Sequence, residues 1–238
     1  MATVQPAAQG ADPGRALTPR PIVIVGGGEH ARVVIEAARS RPDAWAVVGI
    51  VDPGPATRTR ELLDVEHLGD DGDLADRIER VDADLRPWCV LGFVGSDGVA
   101  GRSEAVRRFG PAVRWATIVH DRAWVSPSAS LGAGSVVLAG AVVNAGAVIG
   151  QHAIVNTRAV VEHDVVLGDH VHVGPGAVIG GAARIGAGAL IALGALVRDH
   201  VEVGPGATVG MGAVVVADVP PGVVVAGSPA RPLDVARG

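Results

Sequence analysis

Residues 160–176, VVEHDVVLGDHVHVGPG, hold the densest reactive chemistry in the chain. Three of its eight histidines, His163, His170 and His172, fall within ten positions there, and Glu162 and Asp164 flank the first. An imidazole beside a carboxylate is the pairing expected of a general base, because the acid orients the ring and raises its basicity. Clustered imidazoles also suit Zn²⁺, but that chemistry needs three or four converging ligands. A solvated turn is the third option, and spacing decides among them.

Read in sixes from Val125, the chain runs through sixteen uninterrupted hexads. Every first position is Leu, Ile or Val, and the fifth is Ala eleven times, Val four times and Ser once. Period six matches neither a helix nor an alternating strand. It is the signature of a parallel β-helix in which three short strands make one coil. The branched residue points inward, the small fifth residue fills a corner, and Gly at position two permits the turn. The hexapeptide form coils left-handed, an exception to the usual crossover rule.

Each residue therefore sits above the one 18 positions earlier. His152 stacks on His170, Glu162 on Asn144, and His163 lies between Ala145 and Gly181. His152, His170 and His200 occupy fourth positions and read as turn residues facing water. No third imidazole completes a set with His152 and His170, so no metal is expected. His163, third in its hexad and next to Asp164, is the candidate base, and bare glycine backbone beside it leaves room for a thin ligand. His172, at a sixth position, lies on a neighbouring face.

These side chains need a frame, and the upstream sequence supplies another element type. PIVIVGGGEHARVVIEAAR reads as strand, glycine turn and helix; AVVGIVD as a second strand; GDLADRIERV as a helix. WCVLGFVG, VAGRSEAVRRFG and VRWATIVH read as strand, helix and fourth strand, so a small parallel α/β domain is expected. The domain plan is a flexible tail at 1–20, the half-Rossmann-like α/β domain at 21–120, the β-helix at 121–220, and a tail at 221–238 that leaves the prism. Gly26-Gly27-Gly28-Glu29-His30-Ala31 fits G-x-G-x-x-A, with Asp52 at the distance of a ribose contact. Four strands make only half a dinucleotide fold, which favours a single nucleotide, although a ligand-free tight turn has the same pattern. His30, at the helix start, has a ring able to face the crevice.

Twenty Lys and Arg against 25 Asp and Glu give a net charge of −5 with no basic tract, which argues against nucleic acid or an anionic membrane as partner. The single cysteine, Cys89, excludes an intrachain disulfide framework and suits a reducing, cytoplasmic setting. Residues 123–157 carry no charge, but polar and apolar residues interleave too regularly there for a spanning helix. The first twenty residues lack the apolar stretch of a signal peptide.

The α/β domain, the hexads, NTRAVVEHDVVLGDHVHVGPGAVIGG and VPPGVVVAGSPAR together resemble the NeuD/PglD-like sugar acyltransferases of sialic-acid and bacillosamine pathways. The likeness covers residues 21–233. It implies an acetyl-CoA-dependent N-acetyltransferase acting on a nucleotide-linked amino sugar of the UDP-4-amino type, serving polysaccharide or glycan biosynthesis. By the same resemblance His163 is the general base and Asp164 orients it. His172 lies near the acetyl carbonyl, Gly181 gives the pantetheine arm a main-chain contact, and Met211 belongs to the coenzyme side. Asn156 and Glu162 line the acceptor pocket, while Gly28, His30, Asp52, Gly95 and Ser96 belong to the nucleotide-sugar crevice. A homotrimer with the coenzyme slot between prisms is implied too. Glu29, Pro53 and Ser96 depart from the family's usual glycine, second acid, and amide or acid. No Ser–His or Cys–His nucleophile pair is evident, so direct transfer is favoured over a covalent acyl-enzyme. Alternatives are O-acetylation of a sugar hydroxyl or of sialic acid, a non-catalytic nucleotide-sugar-binding scaffold, and a metalloprotein like the γ-class carbonic anhydrases.

Overall fold

The computed structural model describes residues 18–54, 64–70, 86–94, 99–109 and 113–233. The small domain holds β1 (Arg20–Val25), α1 (Glu29–Arg39), β2 (Trp45–Val51), β3 (Trp88–Leu91), α2 (Val99–Phe109) and β4 (Arg114–Trp115). Its sheet is parallel throughout, in the order β2-β1-β3-β4. Ala31, Val34, Ile35 and Ala38 recur at helical spacing on α1 and are fully buried. Because β1 lies between β2 and β3, the connections diverge at the carboxyl ends of β1 and β3. A ligand crevice opens at such a switch point in α/β sheets. The helix expected over 72–81, with Gly95 and Ser96, lies outside the described residues.

From Ile118 onward the chain winds as a left-handed parallel β-helix of two-residue strands. Val148 pairs with Val166 and Val160 with Val178, the 18-residue register that the hexads dictate. The prism has three faces: a five-stranded sheet, a six-stranded sheet and an eight-stranded sheet. First-position residues from Val137 to Val215 are all buried, with Ala or Val of the fifth position packed between them. Fourth-position residues take left-handed backbone, which explains Gly at many of them. Ala182, at φ 58°, carries a strain that glycine would not.

Two boundaries differ from the sequence expectation. Residues 113–120 do not form one strand. Arg114–Trp115 joins the small sheet, whereas Ile118–Val119 pairs with Val136–Val137 and begins the prism. Residues 221–233 do not leave the prism either. Val224–Ala226 pairs with Thr208–Val209, and Arg231–Pro232 folds back antiparallel on it. That last register is 16 residues, so counting by 18 misses it, yet Val225 is still 96 % buried like the inward valines before it. The two units share one core: Ile22, Ala31, Val34 and Ile35 pack with Ile118, Val136 and Leu138.

Candidate active site

His163 sits in the corner between strands Val160–Val161 and Val166–Leu167, where the two-residue strands force a tight turn. Asp164 takes φ 60° there, which swings its carboxylate back to the ring, and its Oδ2 lies 3.0 Å from His163 Nδ1. Glu162 accepts the His163 backbone N–H at 3.3 Å. These contacts raise the His163 pKa above its ordinary value, first through the Asp164 hydrogen bond and also through the charges of Asp164 and Glu162. With Nδ1 engaged, Nε2 is the free basic nitrogen. It lies against Gly181, where a Cβ would stand 2.6 Å away. The 18-residue rule therefore brings His163, Asp164, Glu162 and Gly181 together. The imidazole remains 62 % exposed at its side chain, open to an incoming amine.

His172 lies elsewhere, on strand His172–Val173 of the eight-stranded face. Its Nε2 is 3.2 Å from Asn156 Nδ2, while Asn156 Oδ1 accepts the Thr157 backbone N–H at 2.8 Å. A backbone N–H only donates, so the amide orientation is fixed and Nδ2 points at the ring. His172 must then accept at Nε2 and carry its proton on Nδ1. Burial, then His30, then Arg102 hold its pKa down to about 4. His30 is held at about 4 by burial and Arg102. His30, Asn156 and His172 thus share one junction between the small domain and the prism, and neutral His172 is a hydrogen-bond donor at Nδ1.

Asp52 has a more structural part than a free ribose acceptor. Its Oδ2 accepts the Gly27 N–H at 2.6 Å and its Oδ1 the Gly54 N–H at 2.7 Å, so the carboxylate braces the glycine turn. At Gly28, which precedes α1 without a side-chain cap, a Cβ would meet nothing within 4 Å among the described residues. Met211 is 77 % exposed on a corner, away from both histidine groups in sequence and directly above Leu193 in register.

His152 does not face water. It is 2 % exposed, stacks on His170 at 5.2 Å and meets the edge of Trp115 at 4.8 Å. Burial, His170 and Arg102 push its pKa down to about 3. His170 is partly covered in turn, whereas His200 is exposed as expected. His152 does occupy the turn, at φ 54°, but the small domain lands on that corner and covers it.

Arg102 was missed altogether. It is 2 % exposed on α2, and its guanidinium donates to the carbonyls of Phe93 and His152. A signal existed, since Arg102, Ala105 and Phe109 share the buried helix face at i, i+3 and i+7. No group of three His, Cys, Asp or Glu side chains that could hold a metal occurs among the described residues. Nor is any helix among them long and apolar enough to cross a membrane.

A two-domain subunit with a hexapeptide prism, a carboxylate-paired histidine in a prism corner and an α/β cap defines a class, the hexapeptide acyltransferases. Residues 21–85 match the PglD N-terminal domain and residues 146–181 the bacterial transferase hexapeptide (six repeats). A mutant GDP-perosamine N-acetyltransferase from Caulobacter crescentus, solved with CoA and GDP-perosamine, is 35% identical with a TM-score of 0.80, covering 90% of this chain and 97% of its own. The acetyltransferase domain of PglB from Neisseria gonorrhoeae, in complex with acetyl coenzyme A, is 32% identical at 0.80 over 90% and 100%. WeeI from Acinetobacter baumannii is 25% identical at 0.70 over the same shares. No curated protein sequence matches the chain. The chain belongs to the NeuD/PglD-type sugar acetyltransferases and is an acyltransferase.

Proposed function

We propose that this chain transfers an acetyl group from acetyl-CoA to the amine of a nucleotide-linked amino sugar, with His163 as general base. The observation that carries this is the His163–Asp164 pair, held with Nε2 free beside the bare backbone of Gly181. The sugar amine attacks the thioester carbonyl, its proton passes to His163 Nε2, and the CoA thiolate leaves. A base so placed contributes about 10²–10⁴-fold. Neutral His172, donating from Nδ1, suits the carbonyl oxygen as charge develops on it.

The resemblance in sequence favours a UDP-linked sugar. GDP is the second reading, because GDP-perosamine is bound in a structure 35% identical to this chain. A homotrimer fits one surface in particular. The outward residues of the six-stranded face, Trp124, Val142, Val160, Val178, Leu196 and Val214, are all apolar, and Trp124 and Leu196 are exposed. The corresponding column of the five-stranded face includes Ser130, Arg184 and Glu202. A reaction consuming acetyl-CoA and a nucleotide sugar supports a cytoplasmic location.

The deciding experiment is thiol release from acetyl-CoA with UDP- and GDP-linked 4-amino sugars, run on the wild type and on His163→Ala. Release with an amino sugar is expected, falling at least about 100-fold in the variant while CoA binding persists. Release only with a hydroxyl acceptor would establish O-acetylation instead. Full activity in His163→Ala would remove His163 as the base.

A further inference from the structure

Arg102 is a buried cation without a carboxylate partner among the described residues. Burial lowers its pKa to about 10, so it remains charged at neutral pH. A buried charge is costly unless something compensates it. The compensation comes from two carbonyl oxygens belonging to different units. One is Phe93, at the carboxyl end of β3; the other is His152, in the prism corner, 2.8 Å from Nη2. A planar guanidinium presents its two terminal nitrogens to such a pair in a fixed fork, whereas an ammonium is a single point donor.

Both acceptors lead to the acceptor-side pocket. Phe93 packs its ring so closely on the glycine turn that a Cβ on Gly26 would stand 2.5 Å from it. That turn continues into α1 and places His30. The His152 carbonyl lies one coil before His170, which precedes His172 by two residues in the same coil. Among the described residues, Nε of Arg102 and Nε2 of His30 are buried without partners, as are both ring nitrogens of His152. The junction is thus not a saturated hydrogen-bond network that would hold itself together. Among the described residues, the two guanidinium bonds tie the two sides of this histidine junction together.

We propose that Arg102 is a positioning residue of the acceptor pocket: its fork clamps Phe93, at the carboxyl end of β3, to the His152 corner and sets His30 of the small domain against His172 and Asn156 of the prism. This rests on the proposed acetyl transfer for the meaning of the pocket, though the clamp itself does not. The His163 corner and Gly181 stand outside the clamp, so the base and its glycine keep their geometry when it is broken.

Two variants test this, Arg102→Lys, which keeps the charge and loses the fork, and Arg102→Met, which loses both. Each is examined by thermal melting, by CoA binding, and by KM for the acceptor separately from KM for acetyl-CoA. The expected result for folded Arg102→Lys is an acceptor KM raised about 10- to 100-fold with CoA affinity within twofold of wild type. Equal loss for both substrates, no change in acceptor KM, or a Lys variant that does not fold would each overturn positioning in favour of a purely structural part. A substrate-free readout separates this from failure of the proposed function. Imidazole NMR titration of folded Arg102→Lys, which keeps the charge, should show His30, His152 and His172 taking up protons at higher pH than in wild type as the junction loosens, with His163 unmoved. Unchanged titration of the junction histidines would overturn the proposal even if an acceptor had been found. The shift with no turnover on any amino sugar would sustain the clamp and discard the substrate assignment.

Discussion

Gly181→Ala separates the geometry of the base from the chemistry of its own side chain. A Cβ at 181 would stand 2.6 Å from His163 Nε2, 2.7 Å from Cε1 and 3.2 Å from Cδ2, against an ordinary contact of roughly 3.5–4 Å. The ring must therefore move by close to an ångström, which disrupts the 3.0 Å Nδ1–Asp164 contact that aligns it. The backbone at 181 is not left-handed, so alanine is tolerated there. The ring is 62 % exposed and free to swing outward, so the fold loses little, under about 1 kcal/mol. Turnover should fall far more. Misaligning a base worth 10²–10⁴-fold predicts a drop in kcat of about 10²-fold, equivalent to about 2.7 kcal/mol of transition-state stabilisation. Steady-state kinetics and thermal melting on the single variants and on Gly181→Ala/His163→Ala form a double-mutant cycle. If the glycine acts through the ring, the double variant is no slower than His163→Ala. Wild-type kcat in a folded Gly181→Ala, or additive losses in the cycle, would refute the steric argument and leave Gly181 with an independent main-chain part.

The remaining predictions concern protons. Asp164→Asn removes the largest cause of the raised His163 pKa, so the acidic limb of the kcat/KM profile should move to lower pH. An unmoved limb would show that another group titrates there. The buried imidazoles predict acid lability: His152 titrates near 3 when folded and near 6.5 when unfolded, so below 6.5 the unfolded chain binds the extra proton. Stability present above pH 6.5 is lost as pH falls toward 3, and at pH 5 His152 alone accounts for about 2 kcal/mol. His30 and His172 act in the same direction down to about 4. Denaturant midpoints between pH 7 and 5 check this, and a midpoint independent of pH would contradict it.

What the sequence disclosed and what it withheld divide along a physical line. Contacts along the prism axis repeat every 18 residues, because backbone pairing between coils leaves no freedom of register. Gly181 could therefore be placed beside His163 by counting. His152 could not be read that way. Its turn was legible, but its burial depends on Trp115 and Arg102 from the small domain, and no period relates residues of separate units. Arg102 stood on the apolar stripe of its helix, yet an arginine there suggests a snorkelling surface residue until the second unit is in place. Asp52 was legible as a partner of the glycine turn, but whether its oxygens face ligand or backbone depends on loop geometry that spacing does not encode.

The arrangement also bears on why the prism should associate. His163 lies at the corner joining the six-stranded face to the five-stranded one, whereas Asn156 follows strand Ile154–Val155 at the opposite corner of the six-stranded face. The apolar column Trp124, Val142, Val160, Val178, Leu196 and Val214 runs between them. A rigid prism cannot fold across its own face, so one chain does not bring His163 to its own Asn156 and His172. On the proposed trimer, packing that apolar face against other copies around an axis would juxtapose one chain's base corner with the next chain's acceptor pocket. On the proposed mechanism, association is then a condition of chemistry as well as of burial. Placing a charge at Val160, in mid-face and outside either histidine group, should therefore reduce both assembly and turnover in parallel, measured by sedimentation and thiol release on the same sample. A fully active monomer would mean that the base and the acceptor pocket meet within one chain, against the geometry of the prism.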